Sequence, residues 1–247
     1  MLLAIHGLGS DSGAMRAYLE GAVPAGVRVL APDLRAHGAS RLIGGPDDFA
    51  LEAMAAEVAD EVARHADGTP LSILGVSLGS AIAASIARSG RFPLDRVALV
   101  RPAFTDEPLP ANLAVFPVIG RLLEAYRPQR ALAELHRSGA WRAIAHESLA
   151  NAHALEAQLT QPRAVERRIR LLEIPRNSAY RLGELRIAAP TVVLASHRDP
   201  VHPLHVAEAW RAELACRMLV SPARDDGEAA MFAWFQQQLG SFLVGVR

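Results

Sequence analysis

The sequence predicts an α/β domain: a doubly wound, mostly parallel sheet of about six strands with a helical cap inserted into it. Three observations lead there. Short apolar runs recur along the chain, each stopped by Gly, Pro or a polar pair. They are continuous rather than alternating, as expected of parallel strands covered on both faces. Helical periodicity fills the intervals between them, which calls for right-handed crossovers. The long interval 102–186 contains no such run and reads as helical throughout. With 247 residues, 51% apolar and 21% charged, the chain has the material for a sizeable core and is not a disordered segment.

The elements follow in order. Residues 2–5 (LLAI) form the first strand, stopped at His6-Gly7, and 27–31 (VRVLA) the second, stopped by Pro32. Over 50–66, Leu51, Met54, Ala55, Val58 and Val62 recur at helical spacing with acids opposite. The third strand, 71–74, is entered from Gly68-Thr69-Pro70 and left at Gly75. Residues 78–88 are small and apolar almost all round, so this helix should be deeply packed. The fourth strand, 97–100, stops at Arg101-Pro102. Helical stretches then run over 120–126, 131–137, 141–159 and 165–172. Strand five, 191–195, follows Pro190; a helix at 207–214, strand six at 217–220 and a helix at 228–243 complete the chain. The domain reading is a core of 1–101 and 187–247 with a cap of 102–186 over the carboxyl ends of the strands, where loops carry function.

Composition excludes several function classes. There are 26 basic and 26 acidic residues, and every basic one is Arg. A neutral chain is not expected to bind nucleic acid. The single Cys216 rules out an internal disulfide or a Cys-based zinc site, and reads as a small core residue. No apolar run approaches the roughly 20 residues that span a bilayer. The N-terminus lacks the basic segment of a signal peptide, so a cytoplasmic location is expected. His202 and His205 are spaced i, i+3 and cluster with His197 and Asp199, but a ligand set needs a better-defined third partner, and no glycine-rich nucleotide motif occurs. Neither metal nor cofactor is expected.

The sharpest motif is Gly75-Val76-Ser77-Leu78-Gly79, a G-x-S-x-G between a strand and a small-residue helix. A turn that tight leaves no room for side chains beside Ser77 and lifts its hydroxyl above the sheet edge, at the positive end of a helix. His6-Gly7-Leu8-Gly9 ends the first strand, where the Leu8 N–H can pair with that of Leu78 to hold an oxyanion; His6 itself reads as structural. Asp33-Leu34-Arg35-Ala36-His37-Gly38-Ala39-Ser40 follows the second strand and reads as a self-bonded turn built on Asp33, Arg35 and His37.

On these segments the chain resembles the α/β-hydrolase superfamily over nearly all its length. HGLGS, PDLRAHGAS, GVSLG and SHRDPVHP match the family in type and order, with Ala36 where a Gly is usual. The resemblance implies that Ser77 is the nucleophile, that Asp199 after the fifth strand is the acid, and that 102–186 is the variable cap. It also implies that the first strand pair of larger members is missing. Asp199 would fix a histidine tautomer and stabilise the imidazolium.

The family's base is a histidine in the loop after the last strand, and here 221–231 has none; no His follows His205. Without an imidazole Ser77 is a poor nucleophile, and ester hydrolysis is expected to be slow. His202 is the first substitute considered, although it reads more readily as a residue packed by Pro203 at a helix start. His197, His205 and His37 are weaker substitutes. Asp225 or Asp226 with a raised pKa, or a group on the substrate, are the others.

The Arg163, Arg167, Arg168 and Arg170 cluster reads as a solvated helix surface, with an anionic ligand or a carrier-domain dock as the sharper alternative. Phe104, Phe116, Tyr126, Trp141 and Tyr180 are candidates for an apolar pocket wall, though mostly cap core. The functional expectation is an enzyme acting on a small ester, thioester or lactone. The alternative is a non-hydrolytic member, a lyase, cyclase or ligand-binding pseudoenzyme, using the same pocket. The partner is a small molecule; a homodimer is the further option.

Overall fold

Residues 1–245 are described by a computed structural model; the last two residues of the core segment expected at 187–247 lie outside the described residues. Six strands, β1 (Leu2–Ile5), β2 (Val29–Leu30), β3 (Leu71–Val76), β4 (Leu94–Val100), β5 (Thr191–Ser196) and β6 (Arg217–Ser221), form one all-parallel sheet in the order β2-β1-β3-β4-β5-β6.

Side-chain alternation explains why the central runs are continuous. Successive residues of a strand face opposite sides, and both sides are covered. Leu3, Ile5, Ile73, Val97, Leu99, Val193 and Ala195 face the larger core. There they meet α2 (Leu51–His65), α3 (Leu78–Arg88) and α9 (Leu204–Leu214). Leu2, Ala4, Leu74, Val76, Ala98, Val100, Val192 and Leu194 face the other side and meet α1 (Arg16–Leu19) and α10 (Glu228–Val244) through Tyr18, Met231, Phe235 and Leu239. The edges differ from expectation. β2 is only two residues long, and Val27 and Val29 stay exposed, because an edge strand has a neighbour on one side only. β6 is likewise only partly buried.

Between β4 and β5 lie α4 (Val115–Ala125), α5 (Pro128–Arg137), α6 (Gly139–Glu147), α7 (Leu149–Thr160) and α8 (Ile169–Glu173). The single helix expected over 141–159 is two. Ser148 is extended (φ −151°), and its side chain accepts from Asn151 N–H, so it starts a new helix rather than continuing the old one. The helix expected over 165–172 shrinks to α8. The four-residue helix α1 was not anticipated, being too short for periodicity to reveal. No helix among the described residues is long and apolar enough to cross a membrane.

The chain runs outward from β1 to β2, then crosses to β3 on the other side of β1. The carboxyl ends of β1 and β3 therefore flank the point where strand order reverses, the usual crevice for a ligand in an open α/β sheet.

Candidate active site

Ser77 stands between β3 and α3 with φ 56° and ψ −113°, backbone angles an L-residue rarely adopts. The flanking glycines make the turn possible. A Cβ on Gly75 would lie 2.7 Å from Ser80 N, and one on Gly79 would lie 2.7 Å from the Ile5 carbonyl carbon. The turn is pinned from outside by Ser77 N–H donating to Val100 O (2.9 Å) and from within by the Ser80 hydroxyl donating to Gly75 O (2.8 Å). Such strain costs on the order of 1–3 kcal/mol and persists where the surroundings over-determine it.

The imidazole missing from the last loop is supplied elsewhere. The loop after β6 carries none, and an imidazole reaches Ser77 from the loop after β5. His202 Nε2 lies 2.9 Å from Ser77 Oγ, and His202 Nδ1 lies 2.9 Å from Asp199 Oδ2. This corrects two expectations: His202 is not merely a residue packed at a helix start, and Ser77 does not lack an imidazole. The cause is local. Asp199-Pro200-Val201-His202 is a turn with Asp at its first position and Pro at its second, both favoured there. His202 N–H donates to Asp199 O, and Asp199 Oδ1 lies within reach of the Val201 and His202 N–H groups. That fold-back sets the ring over the carboxylate three residues before it.

The other substitutes are elsewhere. His197 and His205 are exposed. Asp225 is held by Ser148 and the Ala150 N–H, and Asp226 by Arg198. His37 is buried against His6, ring centroids 5.0 Å apart, with Nδ1 on Arg35 O. His6 receives the Leu34 N–H on Nε2, which ties the end of β1 to the Asp33 turn. In that turn Asp33 accepts from Ala39 N–H (2.7 Å), but Arg35 reaches out to Glu57 on α2. Burial lowers the pKa of both histidines, and for His37 the neighbouring His6 adds to it.

One residue the sequence reading passed over is Arg101. It ends β4 in a left-handed conformation (φ 50°), and its N–H donates to Leu194 O at 2.6 Å. The guanidinium is buried, 2.7 Å from Asp199 Oδ2 and 3.0 Å from His202 Nδ1. Burial alone would raise the Asp199 pKa, but the charge of Arg101, with His202 beside it, holds the carboxyl well below the usual carboxylate range. For Arg101 burial works toward a lower pKa, and the Asp199 charge reverses it. His202 is lowered, first by burial; Asp199 opposes this and Arg101 adds to it. A polar residue closing an apolar strand was the available signal.

Ser77, His202 and Arg101 line a cavity of about 420 Å³. Gly7 and Leu8 border it from the end of β1, Phe116 from α4, and Asn151, Leu155 and Gln158 from α7. Of the five aromatics considered for the pocket, Phe116 alone lines it; Tyr180 packs edge-on against Trp210, whose ring N–H donates to Phe104 O (2.7 Å). Leu78 is the first residue of α3, where N–H groups have no acceptor within the helix.

The arginine cluster is also corrected. Arg167 and Arg170 are buried, Arg170 to 1% exposure, and they serve loops of the core. Arg167 donates to Gly38 O (2.8 Å) and Ser40 O (3.2 Å), and Arg170 to Ala36 O. Arg170 also holds the amide oxygens of Gln158 (3.3 Å) and Gln161 (2.9 Å), whose nitrogens donate to Leu8 O (3.3 Å) and Gly9 O (2.6 Å). A chain of donors thus runs from a buried cation to the loop beside Ser77.

Comparisons with known proteins bear on the family and the fold. The family model described as serine aminopeptidase, S33, a hydrolase family, matches residues 1–220. The magnesium-chelatase 30 kDa subunit of Rhodobacter capsulatus is 30% identical over 221 residues, covering 84% of this chain and 73% of that protein. Among solved structures, a hydrolase from Pseudomonas aeruginosa superposes with TM-score 0.71 at 20% identity, covering 99% of this chain and 89% of the other. MenH from S. aureus gives 0.73 at 16% identity, covering 98% and 92%. An esterase from Thermogutta terrifontis gives 0.70 at 22% identity, covering 99% and 89%. At these identities the structural likenesses speak for the fold, and the match over most of the chain speaks for descent: this chain belongs to the serine aminopeptidase, S33, family of α/β hydrolases.

Proposed function

We propose that the chain is a serine hydrolase of small acyl substrates, with Ser77 as nucleophile, His202 as base and Asp199 as the acid that orients it. The observation that carries this is the continuous relay Ser77 Oγ–His202 Nε2 and His202 Nδ1–Asp199 Oδ2, both hydrogen-bond steps 2.9 Å, at the wall of a cavity. Ser77 Oγ attacks the acyl carbon while His202 Nε2 takes its proton. The oxyanion that forms sits against the Leu8 and Leu78 N–H groups. Collapse expels the leaving group with the proton from His202, and water, deprotonated by the same nitrogen, releases the acid and restores Ser77.

The helices of 102–186 act as a cap in this reading, since Phe116 and the α7 side chains supply one wall. A cavity of about 420 Å³ suits a small acyl group, being near the lower end of the roughly 300–1,000 Å³ of ligand pockets. The test is hydrolysis of activated aryl esters together with fluorophosphonate labelling mapped by peptide mass. Turnover with label on Ser77 supports the reading. A folded protein inert to both would favour the non-hydrolytic use of the pocket.

The donor chain from Arg170 gives a further expected result. Gln158→Leu removes the donor on Leu8 O and should loosen the loop that presents the Leu8 N–H. Losing an oxyanion donor outright costs about 10²–10³ in kcat; loosening one should cost about tenfold, with KM within about a factor of two. An unchanged kcat would show that the loop holds itself.

A further inference from the structure

His202 Nδ1 has two neighbours competing for it. Asp199 Oδ2 lies at 2.9 Å and Arg101 Nη2 at 3.0 Å, and those two atoms are themselves 2.7 Å apart. One ring nitrogen cannot satisfy both. With a proton on Nδ1 it donates to Asp199, and the Nε2 lone pair faces Ser77 Oγ. Without one it accepts from Arg101, and Nε2–H faces Ser77 as a donor. Only the first form can take the serine proton. Once it has, a second cation stands beside a buried guanidinium, with one carboxylate shared between them.

We propose that Arg101 is a positioning residue of this site: by sharing Asp199 with His202 it weakens the imidazole as a base and carries the enzyme's working range toward acid pH. This rests on His202 being the base. Five groups bear on the balance. Asp199, on the loop after β5, favours the imidazolium. Arg101, at the end of β4, opposes it. Arg224, beyond β6, also opposes it, more weakly, and is paired with Glu228. Ser77 is neutral. Tyr18, on α1, acts on Arg101. Of the two opposing cations, Arg101 is the one in contact with the ring. Its backbone is held in a conformation unfavourable to a non-glycine residue, so its placement has a cost that its contacts with Asp199 and His202 offset.

The sign follows directly. Turnover needs the neutral ring, so kcat/KM is retained down to the imidazole pKa and lost below it. Arg101 moves that limb down. The experiment is a 15N NMR titration of the His202 ring in wild type, Arg101→Met and Arg101→Lys, beside the pH profile of kcat/KM. Wild type is expected to titrate below the ordinary histidine value. Arg101→Met should move both titration and limb up by about one pH unit, a tenfold change on the acid slope, and Arg101→Lys should stay near wild type. A wild-type ring titrating at about 7 or above overturns the proposal, even if Arg101→Met does not fold. So does coincidence of all three titrations. If the ring responds as expected while His202→Gln leaves the rate untouched, it is the assignment of His202 as base that fails, and the effect of Arg101 on the ring stands.

Discussion

Ser77→Ala is expected to lower ester turnover by about 10⁶, because the covalent intermediate can no longer form; in a well-studied serine protease the loss is of that order. The cavity and the Leu8 and Leu78 amides remain, so a residual advantage over water of about 10³–10⁴ should survive. Binding should change little, since the hydroxyl is one small group in a cavity of about 420 Å³. Thermal stability should also stay near wild type: the Cβ is kept, the backbone angles are the same, and the external contacts through Val100 O and Ser80 do not involve the hydroxyl of Ser77. Steady-state kinetics on an activated ester, with a melting curve, read both. A Ser77→Ala protein within about tenfold of wild type would remove Ser77 from the reaction.

His202→Ala should cost about as much. Ser77 without a base is a neutral hydroxyl, and nucleophile and base act as one unit. The double variant Ser77→Ala/His202→Ala should therefore lose no more than either single one, whereas independent contributions would multiply. Fluorophosphonate labelling of Ser77 should disappear in His202→Ala. Free imidazole in the medium should restore part of the rate, because the substitution leaves a space lined by Asp199 and Arg101. Survival of labelling in His202→Ala would mean that another group removes the serine proton. None of His37, Asp225, His197 and His205 lines the cavity at Ser77.

The sheet and the elbow could be read directly from the residues. Continuous apolar runs require strands covered on both faces, so the number of strands and their parallel sense were legible. GVSLG between a strand and a small-residue helix carries its own geometry, since the glycines have no alternative use there. Resemblance to the family's loop after the fifth strand pointed to Asp199, which lies 2.9 Å from the His202 ring. His202 was written in the sequence too, in the turn residues Asp199-Pro200, but the spacing usual in the family drew attention to the loop after β6 instead. A turn signal says that two residues meet; it does not say toward what they face.

That direction belongs to tertiary structure. Whether the His202 ring lies over Ser77 depends on β3 and β5 both flanking β4 and ending at one level, a matter of register between strands more than a hundred residues apart. The same holds for Arg101, which the sequence presents only as the residue that stops a strand. It holds for Arg170 as well, whose neighbours in the chain suggest a solvated face and whose contacts are buried carbonyls and amides. Local pattern encodes which residues turn, alternate and pack, because those preferences act over a few bonds. Charge burial and the choice of partner for a ring nitrogen are set by groups brought together from distant segments, and only the folded chain places them within 3 Å of one another.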